Sequence, residues 1–260
     1  MGHRVMLVAP RPRAGTHVGT TGAVGPDPEV VWLPSYQLPP PVPQGYRMPW
    51  PTAGDSALRR TLAFAPHVVH AQSPFVAGMF ARRVARRTKA PLVFTQHTRF
   101  ADYRHYMSAF ATLGGAVMGH YLDRFMRRCD AIIAPSSDLA DDIRARLGAD
   151  GPRIEPVPTG IDVERIAALE AVDHRAAHGW PSDAIVAVTA GRLAPEKSVE
   201  TLLEGFAAAA RSADTLRLVV VGDGTSAPAL RERAERPDLR GRVAFLGQRP
   251  RLETLAAIKG

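Results

Sequence analysis

At 260 residues with 45% hydrophobic content, the chain can bury a sizeable core, as one large domain or two small ones. Its 22% charged and 7% aromatic residues are ordinary for a soluble globular protein, while a formal charge of +8 predicts attraction to polyanions: nucleic acid, anionic lipid or a phosphorylated substrate. Cys129 is the only cysteine, which excludes an internal disulfide and a thiolate metal cluster and fits a reducing, cytosolic setting.

The opening MGHRVMLVAP lacks the apolar core and small-residue cleavage site of a signal peptide and reads as a buried strand. No apolar run approaches the roughly 18 residues that would span a bilayer. Further short β-branched runs follow in EVVWLPS (29–35), HVVHAQ (67–72), PLVFTQH (91–97), AIIAPS (131–136), AIVAVTAGR (184–192), LRLVVVG (216–222) and VAFLG (243–247). Most are separated by amphipathic segments of helix length. SSDLADDIRARLG, for example, opens on serine N-cap candidates, carries acids in its first turn and ends at a glycine. Such alternation predicts an α/β fold of parallel sheets with helices on both faces, and near-continuous apolar strands fit burial on both sides. The Pro-rich segment from Pro34 to Pro51 reads as an extended, ordered loop. Near Pro156 to Arg165 the pattern resets, which places a domain boundary there: residues 1–160, then 161–260.

Two motifs of the second half carry chemistry. In TAGRLAPEKSVETLLEGF, the strand delivers Arg192 at its carboxyl end, where open α/β sheets bind ligands. Pro195 suits a first helical position, and Val199, Leu202, Leu203 and Phe206 give the helix an apolar stripe. That reading puts Lys197 in the first turn of the helix. A cation is unfavourable at that end unless an anion shares the site, so solvated charges and phosphate binding both stay open for this pair. In VVVGDGTSAPAL, Gly222 and Gly224 permit either a plain structural turn or close approach to a ligand.

The order GRL-PEK, VVVGDG, RVAFLGQ, preceded by VPTGIDVERI, resembles the nucleotide-sugar domain of retaining family 4 glycosyltransferases. Their fold, called GT-B, has two Rossmann-like domains. The resemblance implies that Arg192 and Lys197 bind the donor diphosphate, with Gly191, Gly222, Gly224, Leu246 and Gly247 around the donor. It implies further that Ser136, Gly160 and Asp162 line the interdomain cleft. FTQHTRFADYRHY is similar to the corresponding stretch of the glycosyltransferases that act on diacylglycerol and related lipids, with Phe100 where a tyrosine is usual. By that resemblance His97 is the catalytic position near the reacting sugar. Thr98, Tyr103, His105 and Tyr106 lie on the acceptor side.

The resemblance implies a glycosyltransferase that moves a sugar from a UDP- or GDP-sugar to a lipid or sugar acceptor with retention, needing no cofactor and no metal. Arg82, Arg83, Arg86, Arg87 and Lys89 read as a solvated helix end, or as a contact with anionic lipid at the inner face of the membrane. Nucleic acid is not expected, because no stacking aromatics accompany the bases. The first strand and helix of the family, and the units that follow VAFLG in its second domain, are without counterpart here, so that domain reads as incomplete. Glu196 and Glu204 have the eight-residue spacing of the family's donor glutamates but fall within the diphosphate helix. The chain therefore reads as a fragment that folds in part and lacks turnover. The alternatives are an inactive truncated product or a nucleotide-sugar-binding protein, with a sugar-nucleotide epimerase as the weaker rival.

Overall fold

The structure, a computed structural model, describes residues 2–11, 29–37, 47–49, 55–97 and 111–260. It divides into two compact units, Met1–Thr159 and Gly160–Gly260.

The first unit begins with β1 (Met6–Pro10) and β2 (Glu29–Leu33), paired in parallel. Then come β3 (Ser35–Gln37), β4 (Arg47–Pro49) and α1 (Asp55–Phe64). Val31, Leu33 and Ala57 form a small core here, with Met6, Val8 and Phe80 packed against it. β3 and β4 pair in antiparallel fashion, so the Pro-rich segment read as a loop contributes a short ribbon. Arg47 reinforces it by donating to the Ser35 hydroxyl and carbonyl oxygens at 3.0 and 2.6 Å. Strands of three residues are too short to display a period of two, which is why the pattern was silent there.

The main sheet of this unit is built from β5 (Val69–Ala71), α2 (Val76–Thr88), β6 (Leu92–Thr95), α3 (Ala111–Met126), β7 (Ala131–Ala134), α4 (Ser137–Leu147) and β8 (Arg153–Pro156). Its order is β5-β6-β7-β8, all parallel, as the alternation of strands and helices predicts. Phe94, Leu122, Met126 and Ile132 are sealed in its core, each contributing about 1.5–3 kcal/mol of burial. Phe94 meets Phe125 edge-on at 5.2 Å between ring centres, fixing α3 over the sheet. α4 starts where the sequence predicts: the Ser136 hydroxyl accepts from the Leu139 N–H at 3.2 Å.

The second unit runs α5 (Val163–Ala167), α6 (His174–His178), β9 (Ile185–Ala190), a 3-10 turn (Pro195–Lys197), α7 (Val199–Ala210), β10 (Leu216–Val221), α8 (Ala227–Ala234), β11 (Val243–Gly247) and α9 (Arg251–Lys259). Its parallel sheet has the order β11-β10-β9. Side chains of central β10 alternate between two cores. Leu218 and Val220 join Leu203, Phe206 and Leu230 from α7 and α8. Val219 and Val221 join Ala257 of α9, with Trp180, Val186, Val188 and Leu246 packed against them. Helices thus cover both faces, which explains the uninterrupted apolar run LRLVVV.

One local expectation is corrected. Lys197 does not lie in the first turn of α7 but closes the separate 3-10 turn that starts at Pro195. Ser198, at φ 50°, breaks the backbone between that turn and α7. Glu196 belongs to the same turn, so only Glu204 falls on the helix.

Candidate functional site

In the second unit, the carboxyl ends of three strands are laced together by backbone hydrogen bonds. Gly191 donates to the Val221 carbonyl at 2.9 Å, and Gly222 donates to the Gly247 carbonyl at 2.8 Å. Leu193 then donates to Asp223, and Ser226 to Leu193, both at 2.9 Å. Gly222 has φ +136°, and a Cβ there would overlap the Gly191 carbonyl. A Cβ on Gly224 would similarly overlap the Leu193 carbonyl. The two glycines are therefore required by close packing of one loop on the next, and between them stands the exposed Asp223, whose carboxylate accepts from the Gly224 N–H at 2.8 Å. Gly247, at φ +71°, faces open space.

Arg192 follows Gly191 at this edge, and Lys197 closes the 3-10 turn that comes next, both exposed. Arg192 donates to the Glu196 carboxylate at 2.6 Å, and that carboxylate side chain is only 9% exposed. The guanidinium is thereby held at the strand end by a carboxylate whose own position is fixed. Lys197 is exposed at the end of the 3-10 turn and has no carboxylate partner among the described residues. Leu246 packs into the core beneath, and its carbonyl accepts from the Arg249 guanidinium at 3.1 Å. Glu204 is engaged elsewhere, receiving two hydrogen bonds from Arg233.

In the first unit, His97 follows the carboxyl end of β6. Its strand is anchored at the other end by Asp130, whose carboxylate accepts from the Leu92 N–H at 2.7 Å. β5 runs alongside in register, Ala71 opposite Phe94. This places His70 and Gln72 within reach of residues after β6. His97 Nε2 lies 2.6 Å from Gln72 Oε1, Gln72 Nε2 lies 3.1 Å from His70 Nε2, and His70 Nε2 lies 2.7 Å from the Thr95 hydroxyl. Burial, and then the charge of His97, hold the His70 imidazole below the ordinary histidine range. Beyond β5, the Tyr121 hydroxyl donates to the Pro74 carbonyl at 2.7 Å, tying α3 to that loop.

The remaining expected residues divide plainly. Thr98, Tyr103, His105 and Tyr106 lie outside the described residues, as does Phe100. Ser136 caps α4, and Asp162 caps α5 by accepting from the Arg165 N–H at 2.9 Å. Gly160 is open to solvent. His70, Gln72 and Thr95 were not singled out by the sequence. One available signal was the spacing of two in HAQ, which puts His70 and Gln72 on one face of a strand end.

Residues 1–165 match the family model described as Glycosyltransferase Family 4, and residues 171–259 match that of Glycosyl transferases group 1. Among curated relatives, the alpha-monoglucosyldiacylglycerol synthase of Acholeplasma laidlawii is 26% identical over 245 residues, covering 88% of this chain and 58% of that protein. The GDP-mannose-dependent alpha-mannosyltransferase of Mycobacterium tuberculosis is 32% identical over 172 residues, covering 64% and 42%. The chain thus spans about half the length of these relatives. Among solved structures, sucrose-phosphate synthase from Thermosynechococcus elongatus superposes with a TM-score of 0.66 at 16% identity, covering 98% of this chain and 63% of that one. HepE of Anabaena, in complex with UDP, gives 0.63 at 14% identity, covering 98% and 72%. At such identities the likeness is one of fold: α/β, of the GT-B type with Rossmann-like domains.

Proposed function

We propose, from the premise that this chain belongs to Glycosyltransferase Family 4, that the protein transfers a sugar from a nucleoside-diphosphate donor to a lipid or sugar hydroxyl. The observation that carries this reading is the glycine-laced edge of the second unit, with Arg192 directly after Gly191 and Lys197 closing the turn that follows. Backbone without side chains lets a diphosphate approach closely, and two cations offset the charge that grows on it as the bond to the sugar breaks. The acceptor oxygen forms the new bond to the anomeric carbon and passes its proton to the departing diphosphate, which leaves with the electrons of the broken bond. His97 acts on the sugar at the transfer centre, and retention of anomeric configuration belongs to the same reading.

A lipid acceptor is the finer part of the proposal. Relatives named for diacylglycerol glucosylation support it, and so does a cationic face on the first unit. Arg83, Arg86 and Arg87 of α2 are exposed, and Arg82 is half-buried beside them. Arg124 and Arg128 are exposed as well, and desolvation first, then the charges of Arg82, Arg124 and Arg86, lower Arg128 below its ordinary range. Only Arg83 has a carboxylate nearby among the described residues, Asp55 at 3.7 Å. Each such residue is worth about 1 kcal/mol at an anionic membrane surface. No helix among the described residues is long and apolar enough to cross a membrane.

The test is an assay of the protein with UDP- and GDP-sugars, against vesicles containing diacylglycerol and against free sugar acceptors. Product mass and anomeric configuration are read by mass spectrometry and NMR. A glycolipid with the donor's configuration supports this reading and goes against the expectation from sequence that the chain lacks turnover. Binding of the donor without transfer to any acceptor would leave a nucleotide-sugar-binding protein instead.

A further inference from the structure

Gln72 touches two imidazoles with the two ends of one amide. Its Oε1 is 2.6 Å from His97 Nε2, and its Nε2 is 3.1 Å from His70 Nε2. An amide oxygen only accepts, and an amide nitrogen only donates. His97 must therefore carry its proton on Nε2 and donate to Gln72. His70 Nε2 must be the bare acceptor, with the proton on Nδ1. The third contact, from the Thr95 hydroxyl to His70 Nε2 at 2.7 Å, fits either assignment, because a hydroxyl both donates and accepts. Thr95 itself is buried, so its hydroxyl gains by finding a partner inside the site. Turning the amide over would invert both rings together. In either orientation the two Nε2 atoms that Gln72 touches must differ in protonation.

We infer that Gln72 is a positioning residue, which locks His97 and His70 into opposite tautomers so that His97 presents Nδ1 as a bare hydrogen-bond acceptor to its ligand. The chemical consequence is definite. His97 accepts a hydrogen bond from a hydroxyl of the bound sugar or acceptor, and does not donate one through that nitrogen. The role of Nδ1 rests on the proposed function. The tautomer lock itself does not: with both rings neutral, it follows from the contacts of Gln72 with His70 and His97.

The lock is read by long-range proton–nitrogen NMR of the protein labelled with 15N-histidine, with the two rings assigned through His70→Gln and His97→Gln. The expected spectrum shows His97 with its proton on Nε2 and His70 with its proton on Nδ1, the tautomer less favoured by free imidazole in water. Finding His70 protonated on Nε2, or finding both rings in the same tautomer, would overturn the inference without any variant of Gln72. In Gln72→Leu, His70 should move toward the solution mixture of tautomers. Transfer should fall roughly two- to tenfold, the worth of one net hydrogen bond, in kcat rather than KM. Gln72→Glu keeps an acceptor for His97 and should restore most of that rate, while forcing His70 to protonate Nε2. A folded Gln72→Leu protein whose histidine signals match the wild type would also defeat the proposal. If the tautomers behave as expected but His97→Ala transfers at the wild-type rate, the lock stands and the catalytic reading of His97 falls.

Discussion

Gly222 sits so close to Gly191 that a single added methyl would occupy the space of the Gly191 carbonyl oxygen. Two constraints act on Gly222 together: φ of +136°, a region that L side chains rarely adopt, and a neighbouring backbone that is itself tied to Val221. Gly222→Ala should cost at least the 1–3 kcal/mol typical of backbone strain, plus displacement of the loop that carries Arg192. Gly247→Ala is the control, with positive φ but open space around the new Cβ, and should cost only about 1–2 kcal/mol. Thermal unfolding of both variants checks this. Equal losses would mean that backbone conformation alone, not loop-on-loop packing, explains the glycine at 222.

Lys197→Ala should impair transfer and leave folding intact. The residue is exposed, closes a 3-10 turn and has no carboxylate partner among the described residues, so no ion pair among them is lost. On the proposed reading, what disappears is one charge offsetting that of the departing diphosphate. By analogy with a removed oxyanion donor, the barrier should rise by about 2.7–4 kcal/mol. Steady-state kinetics beside a melting curve separates the two effects. Wild-type turnover with a lowered melting temperature would make Lys197 a structural residue.

Much of this architecture was legible because parallel strands are buried on both sides. The runs MLVAP, AIIA and LRLVVV stand out without any alternation, and each became a strand. The Ser136 cap was legible for a similarly local reason. Ser198 was not: a non-glycine residue at φ 50° leaves no mark in the sequence, and Pro195 followed by the stripe Val199, Leu203, Phe206 read as one helix. Arg192 and the paired glycines could be placed at strand ends from sequence. That Gly222 packs on Gly191 could not, because their contact is fixed by the register of β9 on β10. The link from His97 to His70 likewise depends on β5 lying beside β6, a fact of topology that the spacing of two in HAQ only half reveals.

Cys129 should be chemically silent in the folded protein. Its side chain is buried in the core of the first unit, where its Sγ lies 3.5 Å from the Phe125 carbonyl. Burial first, then the negative charge of Asp130, push its thiol up to about 12. The thiolate is the reactive species, so alkylation near neutral pH should wait for unfolding. Labelling with iodoacetamide along a denaturant series should follow the loss of secondary structure of the first unit. Rapid labelling without denaturant would show that α3 does not seal this core.

Mild acid should destabilise the first unit through His70. Burial is the larger cause of its lowered pKa and the charge of His97 the smaller, so the folded state favours the neutral ring. The unfolded chain binds the proton first, near the ordinary value of 6.5. Stability is therefore fully present above that value and declines as pH falls from there toward the lowered folded pKa. His178 in the second unit behaves the same way, lowered by burial first and by His174 second, so the whole protein should share the trend. Melting temperatures taken from about pH 7.5 down to about pH 5.5 should drop, across the range in which histidine titrates. His70→Gln removes the titrating ring, and the slope should become shallower for the first unit while the slope due to His178 remains. A wild-type melting temperature that stays level over this interval would mean that the fold does not hold His70 neutral.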